Sequence, residues 1–218
     1  MNWKHLRRAP WLDTRSLFVW RTPPAGRLLD VGSSDGETLG HFAELRPDLT
    51  LLATDIAGLP ERYPKGCEFH RGDIQKEALP WDSGSIDAIT CMHVVEHLHE
   101  LRPFFREAAR LLRPGGRIYL ETPHPKSMVL SSAPAEKAVQ CTVNFFDDLT
   151  HTRPVTIGAM GELLRGAGLE VIRSGTARNW LIAAAYPFYL FQPATRRKYV
   201  SYLHWIGWNV FAAARKAG

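Results

Sequence analysis

From residue 27 onward the chain alternates short apolar runs with longer amphipathic stretches, and this alternation limits the fold more than any other feature. A strand buried on both faces reads as a continuous apolar run, and a helix laid across it shows a 3.6-residue period. Repeating the pair builds a parallel sheet covered by helices. Residues 27–32 (RLLDVG) give a first strand, and 36–46 a helix stopped by Pro47. Strands follow at 49–55, 67–73 and 85–94. Within 97–113, Leu101, Phe104, Phe105, Ala108, Leu111 and Leu112 share one helical face, with Pro103 suited to a first turn. Pro114, Gly115 and Gly116 end that helix and lead into a fifth strand, RIYLETP. Thr156 is placed to cap a helix over 157–167, with a sixth strand at 169–175 and a seventh in the last eleven residues. The expectation is an α/β fold: one doubly wound, mostly parallel, seven-stranded sheet, with residues 1–218 forming a single domain.

Two stretches break the rhythm. Residues 123–154, rich in Pro, Ser and His, are too long for an ordinary connector and are expected to be a substrate-side insertion. Residues 177–206 form an aromatic insertion between strands six and seven, and residues 1–26 an N-terminal extension.

Composition narrows the setting. At 45% hydrophobic and 22% charged, the 218 residues suit one globular domain with a core of its own. Cys67, Cys91 and Cys141 are odd in number and form no CxxC pair, which argues against a disulfide framework and for a reducing cytoplasm. The basic N-terminal residues are followed by no apolar run, so no secretory signal is expected. The net charge of +5 gathers at Lys4, Arg7, Arg8, Arg196, Arg197 and Lys198 without any nucleic-acid-binding motif. No specific nucleic-acid partner is expected.

In a doubly wound sheet, ligands sit beyond the carboxyl ends of the strands, at the point where strand order reverses. The loop after the first strand, Asp30-Val31-Gly32-Ser33-Ser34-Asp35-Gly36, is therefore the segment to weigh first. A dinucleotide motif G-x-G-x-x-G would need glycines at 32, 34 and 37, where this chain has Ser34 and Glu37. Glu37 in the first helical turn would also repel a pyrophosphate. A cofactor without phosphate, carrying an amine and a sulfonium, tolerates acids nearby, which favours S-adenosylmethionine (SAM) over NAD. Asp55 ends the second strand at the interval where an acid grips ribose hydroxyls, with Ile56 beside it; the alternative for Asp55 is a helix cap. Asp73 can accept from an adenine amino group while Ile74 covers the ring; the alternative is a simple turn aspartate.

LLDVGSSDGETL, then LLATD, then RGDIQKEALPWDSGSIDAITCMHVVEHL, then LLRPGGRIYLETP resemble successive motifs of the class I SAM-dependent methyltransferases acting on small molecules. The likeness covers roughly residues 27–123, and the terminal NVFAAARK is similar to that family's last strand. It implies a Rossmann-like fold with SAM as cofactor and methyl transfer to a small, apolar or lipid-linked acceptor. By this resemblance Gly32, Ser33, Ser34 and Gly36 shape the SAM loop and Asp30 lies near the methionine amino group. Asp55 and Ile56 attend the ribose, Asp73 and Ile74 the adenine, and His93 borders the methyl donor. The family often has a third glycine where this chain has Ser34, which implies altered loop geometry with binding kept. An NAD(P)-dependent oxidoreductase and a SAM-binding module without activity remain as alternatives.

His93, His97, His124 and His151 all map to loops at the carboxyl edge of the sheet, and His93 or His151 is the expected base or substrate contact. His93-x-x-Glu96-His97 also matches a zinc-peptidase pattern, but His93 falls on a strand exit rather than the helical turn that pattern needs. No ligand spacing favours a metal site, and none is expected. In the long loop, Asp147, Asp148, His151 and Arg153 are expected to line the acceptor pocket or to tie the loop down. Residues 177–206 place aromatic side chains beside Arg196, Arg197 and Lys198, which suits a peripheral membrane contact; a lid, a dimer surface and plain core compete with it.

Overall fold

The structure is a computed structural model that describes residues 6–134, 137 and 142–218; Lys4 and Cys141 lie outside the described residues. Strands β1 (Arg27–Val31), β2 (Thr50–Asp55), β3 (Glu68–Arg71), β4 (Ile86–Met92), β5 (Leu112–Pro123), β6 (Leu169–Ala177) and β7 (Asn209–Lys216) form one sheet in the order β3-β2-β1-β4-β5-β7-β6. All ladders are parallel except those of β7, which runs antiparallel to both β5 and β6. The strand order reverses between β1 and β4, and the two are paired there from Leu28↔Ala88 to Val31↔Cys91. The expected sheet is present.

Each central strand is apolar on both faces because both faces are covered. One face carries α3 (Leu101–Leu111) and α4 (Ile157–Gly166), which bury Phe104, Phe105, Leu111, Met160 and Leu164 against Leu29, Ile89, Ile118 and Leu120. The other carries α1 (Thr14–Trp20) and α2 (Glu37–Leu45), which bury Phe18, Leu39 and Phe42 against Leu28, Ala53, Tyr119 and Phe211. Leu28 and Leu29 thus belong to opposite cores, as the two-residue period requires. Thr156 caps α4 by accepting from the Ala159 amide at 3.1 Å, as its sequence position predicts.

The extension and the aromatic insertion are more ordered than the sequence indicates. The extension contains α1, capped by Asp13, whose second carboxylate oxygen accepts from buried Asn179 at 3.1 Å. The aromatic insertion folds into α5 (Trp180–Tyr189) and α6 (Arg196–Ile206), packed together through Tyr186, Tyr202 and Trp205. No helix among the described residues is long and apolar enough to cross a membrane.

Candidate functional site

A cavity of about 310 Å³ opens at the carboxyl ends of β1, β2 and β4, beside the strand-order reversal. Gly32, Ser34, Asp55, Ile56, Asp73, Ile74 and His93 line it, together with Gln75, Val94, His97 and Leu98. Residues as far apart in the chain as Gly32 and His93 meet there because parallel strands deliver their C-terminal loops to one edge.

The loop after β1 gets its shape from its own residues. Gly32 has φ +77°, and a Cβ there would lie 2.2 Å from Val94 Cγ2, so the close approach excludes any side chain. Ser34 also takes a left-handed backbone, φ +47°, where a glycine would sit without strain. Its amide donates to Asp55 Oδ2 at 2.8 Å, its carbonyl accepts from Tyr63 Oη at 3.0 Å, and the loop is clamped in that form. This is how the loop keeps its path with serine in place of glycine.

Asp55 is not a helix cap; its two carboxylate oxygens accept from the amides of Ser34 and Ala57, at 2.8 and 2.7 Å. Each oxygen has capacity for a further hydrogen bond. Asp73 accepts from the Gln75 amide at 3.0 Å and pairs with Lys76 at 2.9 Å; the hydrogen bond from Lys76 comes first in holding its carboxyl below the ordinary value.

Three of the expected loop residues lie behind the wall. Asp30 is buried beneath the loop, where Thr90 Oγ1 donates to it at 2.7 Å. Burial pushes its carboxyl up to about 7, against the opposing pull of Thr90 and Arg15. Ser33 is buried and hydrogen-bonded to Tyr63 Oη at 2.8 Å. Gly36 caps α2 with φ +79° and packs on the Tyr63 ring. These residues shape the cavity from behind.

His93 takes a left-handed backbone, φ +54°, just past β4, the kind of strained position that clusters at functional sites. Its ring lies on Trp208 at 5.9 Å, with Nδ1 3.1 Å from Glu96 Oε1 and Nε2 3.2 Å from Asn209 Nδ2. Burial works to lower its pKa, but the hydrogen bond and charge of Glu96, with Glu121 behind, carry it above the ordinary histidine value.

The polar groups under His93 are ones that sequence reasoning missed. Buried Glu121 accepts from Tyr119 Oη at 2.6 Å, from Asn209 at 2.6 Å and from Arg15 at 3.2 Å. Arg15 comes from α1, so the extension supplies the cation of this network. Sequence signals for it were a polar Glu121 inside an apolar strand and the Asn at the start of β7; nothing in the sequence joins them to Arg15.

In the long loop, the second of the two expected arrangements holds for three of the four residues. Asp147 is engaged by Ser132 at 2.6 Å and Lys137 at 2.8 Å, and Arg153 donates to the His99 carbonyl at 2.5 Å. Asp148 accepts from Thr150 at 2.6 Å. These side chains tie the loop down and do not line the cavity. His151 sits behind His97, its ring centroid 4.7 Å from that of His97. The zinc-peptidase arrangement is not formed: His97 faces His151, while His93 turns to Glu96 and Asn209.

A methyltransferase-domain family matches residues 3–174. The chain belongs to the SAM-dependent methyltransferases. Among curated relatives, a demethylmenaquinone methyltransferase of Roseiflexus castenholzii is 33% identical over 126 residues, 51% of this chain and 52% of the relative. A ubiquinone biosynthesis O-methyltransferase of Xanthomonas axonopodis pv. citri is 29% identical over 162 residues, 69% of this chain and 66% of the relative. The chain therefore spans about half to two thirds of the length of these relatives. A solved SAM-dependent methyltransferase from Mesorhizobium loti superposes with a TM-score of 0.65 at 18% identity, covering 96% of this chain and 98% of that one, and carries the fold likeness.

SAM is the cofactor of this methyltransferase family, and the cavity fits it. The glycine cradle that a Cβ would fill, the carboxylates of Asp55 and Asp73 and the apolar side chains of Ile56, Ile74 and Leu98 offer the backbone access, acceptors and apolar cover that a nucleoside requires. Glu37 in the first turn of α2 is compatible with a cofactor that has no pyrophosphate. The oxidoreductase alternative falls with the family assignment.

Proposed function

We propose that the protein transfers the methyl group of SAM to a small, apolar acceptor of the lipid-linked quinone-precursor class. The observation that carries this reading is the cavity at the strand-order reversal, with Asp55, Asp73 and Ile74 on one wall and His93 on the other. The names of the Roseiflexus and Xanthomonas relatives point to the acceptor class.

The SAM sulfonium supplies an activated methyl group whose leaving thioether needs no proton. The protein's task is therefore alignment, which contributes roughly 7–11 kcal/mol in favourable cases. In our reading Asp55 accepts from the ribose hydroxyls, Asp73 from the adenine amino group, and Ile56 and Ile74 cover the nucleoside. Gly32, Ser33, Ser34 and Gly36 set the loop, and Asp30 lies beneath it on the side of the methionine amino group. His93, held between Glu96 and Asn209, contacts the polar atom of the acceptor, and His151 supports that wall through His97.

We further propose that the cytoplasmic protein meets its acceptor at an anionic membrane surface through α5 and α6. Phe188 and Phe191 are 81% and 97% exposed, and Trp180 and Trp205 are about half exposed. Arg196 and Arg197 border the groove between the two helices. Lys198 is not free for this role, because its ammonium donates to the Leu190 and Gln192 carbonyls at 2.9 and 2.7 Å. Trp208 belongs to the site, stacking on His93 and donating to the Val143 carbonyl at 2.8 Å.

The test is a radiolabelled methyl-transfer assay with short-chain hydroxylated quinols as acceptors. Label passing to the quinol, and its loss in His93→Ala with SAM binding retained, supports the reading. SAM binding with no transfer to quinols or to any lipid fraction of an extract would leave a binding module instead.

A further inference from the structure

Glu96, His97 and His151 each offer a ligand atom, and these atoms lie within 4.8 Å of one another. Glu96 is fully buried and, among the described residues, has no lysine or arginine partner; its oxygens meet His93 Nδ1 at 3.1 Å and Thr122 Oγ1 at 3.0 Å. Both imidazoles have their tautomers set by neighbours. His151 Nδ1 lies 2.6 Å from the Phe145 carbonyl, which can only accept, so Nδ1 carries the proton. His97 Nδ1 lies 2.9 Å from Thr150 Oγ1, and that hydroxyl already gives its proton to Asp148 Oδ1 at 2.6 Å. His97 Nδ1 therefore donates as well. In the neutral tautomer these contacts select, Nε2 of each ring is the nitrogen turned to a metal. Metal-binding histidines are held in this way, with the second nitrogen donating to a carbonyl or to a carboxylate-linked group. Asp148 Oδ2 adds a further oxygen 3.8 Å from His151 Nε2.

We propose that Glu96, His97 and His151 form a binding site for a divalent transition-metal ion, the two imidazoles and one carboxylate leaving a position open toward the cavity that His97 lines. Two histidines and a carboxylate are the donor set of catalytic zinc sites with an open fourth position, and imidazole suits zinc, cobalt and iron alike. Binding would draw in ligand atoms that now lie within 4.8 Å of one another. The site borders the proposed methyl-transfer site, since His97 lines the same cavity and Glu96 also holds His93, but it is read from the geometry of its own cluster. It was not visible in the sequence, since His151 lies 54 residues beyond His97 with no spacing motif between them.

The experiment is titration of the metal-stripped full chain with CoCl₂, followed by its visible absorption, and with ZnCl₂ by calorimetry. The site predicts one ion per chain, with d–d bands of four- or five-fold coordination, displaced by zinc. His151→Ala should weaken metal binding by at least tenfold. Thr150→Val, which removes only the group that orients His97, should weaken the metal by roughly tenfold and serves if His151→Ala fails to fold. Absence of stoichiometric binding, or equal affinity in wild type and both variants, overturns the site. Loss of SAM binding by the wild type would instead count against the methyltransferase reading and leave the metal result standing.

Discussion

Asp30 shows how a single buried charge beneath the β1–α2 loop bears on stability. Its carboxyl is 1% exposed, faces Arg15 and Asp55 as well as Thr90, and titrates near 7 in the folded chain against an ordinary value of 3.8. Because the folded state holds its proton more tightly, the sign is fixed: stability is highest below about pH 4, falls as pH rises toward 7, and then levels off. The span corresponds to about 4 kcal/mol at most, from three pKa units at 1.36 kcal/mol each. Asp30→Asn keeps an acceptor for Thr90 and removes the charge, so it should gain on the wild type between pH 4 and 8 in thermal unfolding. A constant difference across that range would show that Asp30 is ionised in its buried site. Such residue-level behaviour was partly legible. Their places at the carboxyl ends of the first three strands marked Asp30, Asp55 and Asp73 as site candidates, and the latter two line the cavity. That Asp30 and Ser33 lie behind the wall was not legible, because strand alternation says which face a side chain takes but not how deep a loop residue sits.

At the scale of elements, the β1–α2 loop is the part on which the site depends most. Gly32 and Ser34 both have positive φ, yet for different reasons: Gly32 has no room for a Cβ, whereas Ser34 is held in place by Asp55 and Tyr63. Gly32→Ala should therefore drive Val94 from its place and abolish measurable SAM binding. Ser34→Gly should keep SAM affinity within about threefold, because removing roughly 1 kcal/mol of left-handed strain offsets the flexibility that glycine adds. Equal loss in both variants, by calorimetry, would mean that the serine side chain itself contacts the cofactor. The strands and the covering helices were readable because burial on both faces and the 3.6-residue period leave direct marks. The two helices of residues 177–206 were not, since Trp180–Tyr189 is apolar all round and shows no polar face. Nor was α1, whose contribution is a long-range pairing of Arg15 with Glu121.

For the whole molecule, cofactor and acceptor would arrive on one edge. Loops from β1, β2 and β4 build the cavity, and the exposed aromatics of α5–α6 lie on an element joined to β6 and β7 at the same carboxyl-end region. If that edge docks on lipid, flotation with anionic vesicles should recover the wild type. A variant with Arg196 and Arg197 changed to Glu, and another with Phe188 and Phe191 changed to Ala, should stay in the soluble fraction. Lys198 is best left intact because it holds the carbonyls at the end of α5. Wild type that fails to float, or variants that float as well as it does, would return α5 and α6 to the role of a lid.

The central claim is that the cavity beside the strand-order reversal holds SAM through Asp55, and titration calorimetry of the full chain tests it most directly. SAM and its demethylated product should bind one per chain while NAD gives no heat. Asp55→Ala should weaken SAM by about 1.5–3 kcal/mol, the loss of hydrogen bonds to a charged group. Asp55→Asn, which can still accept from Ser34 and Ala57, separates that loss from loosening of the loop. Unchanged SAM affinity in both variants, or binding of NAD in place of SAM, would contradict the account.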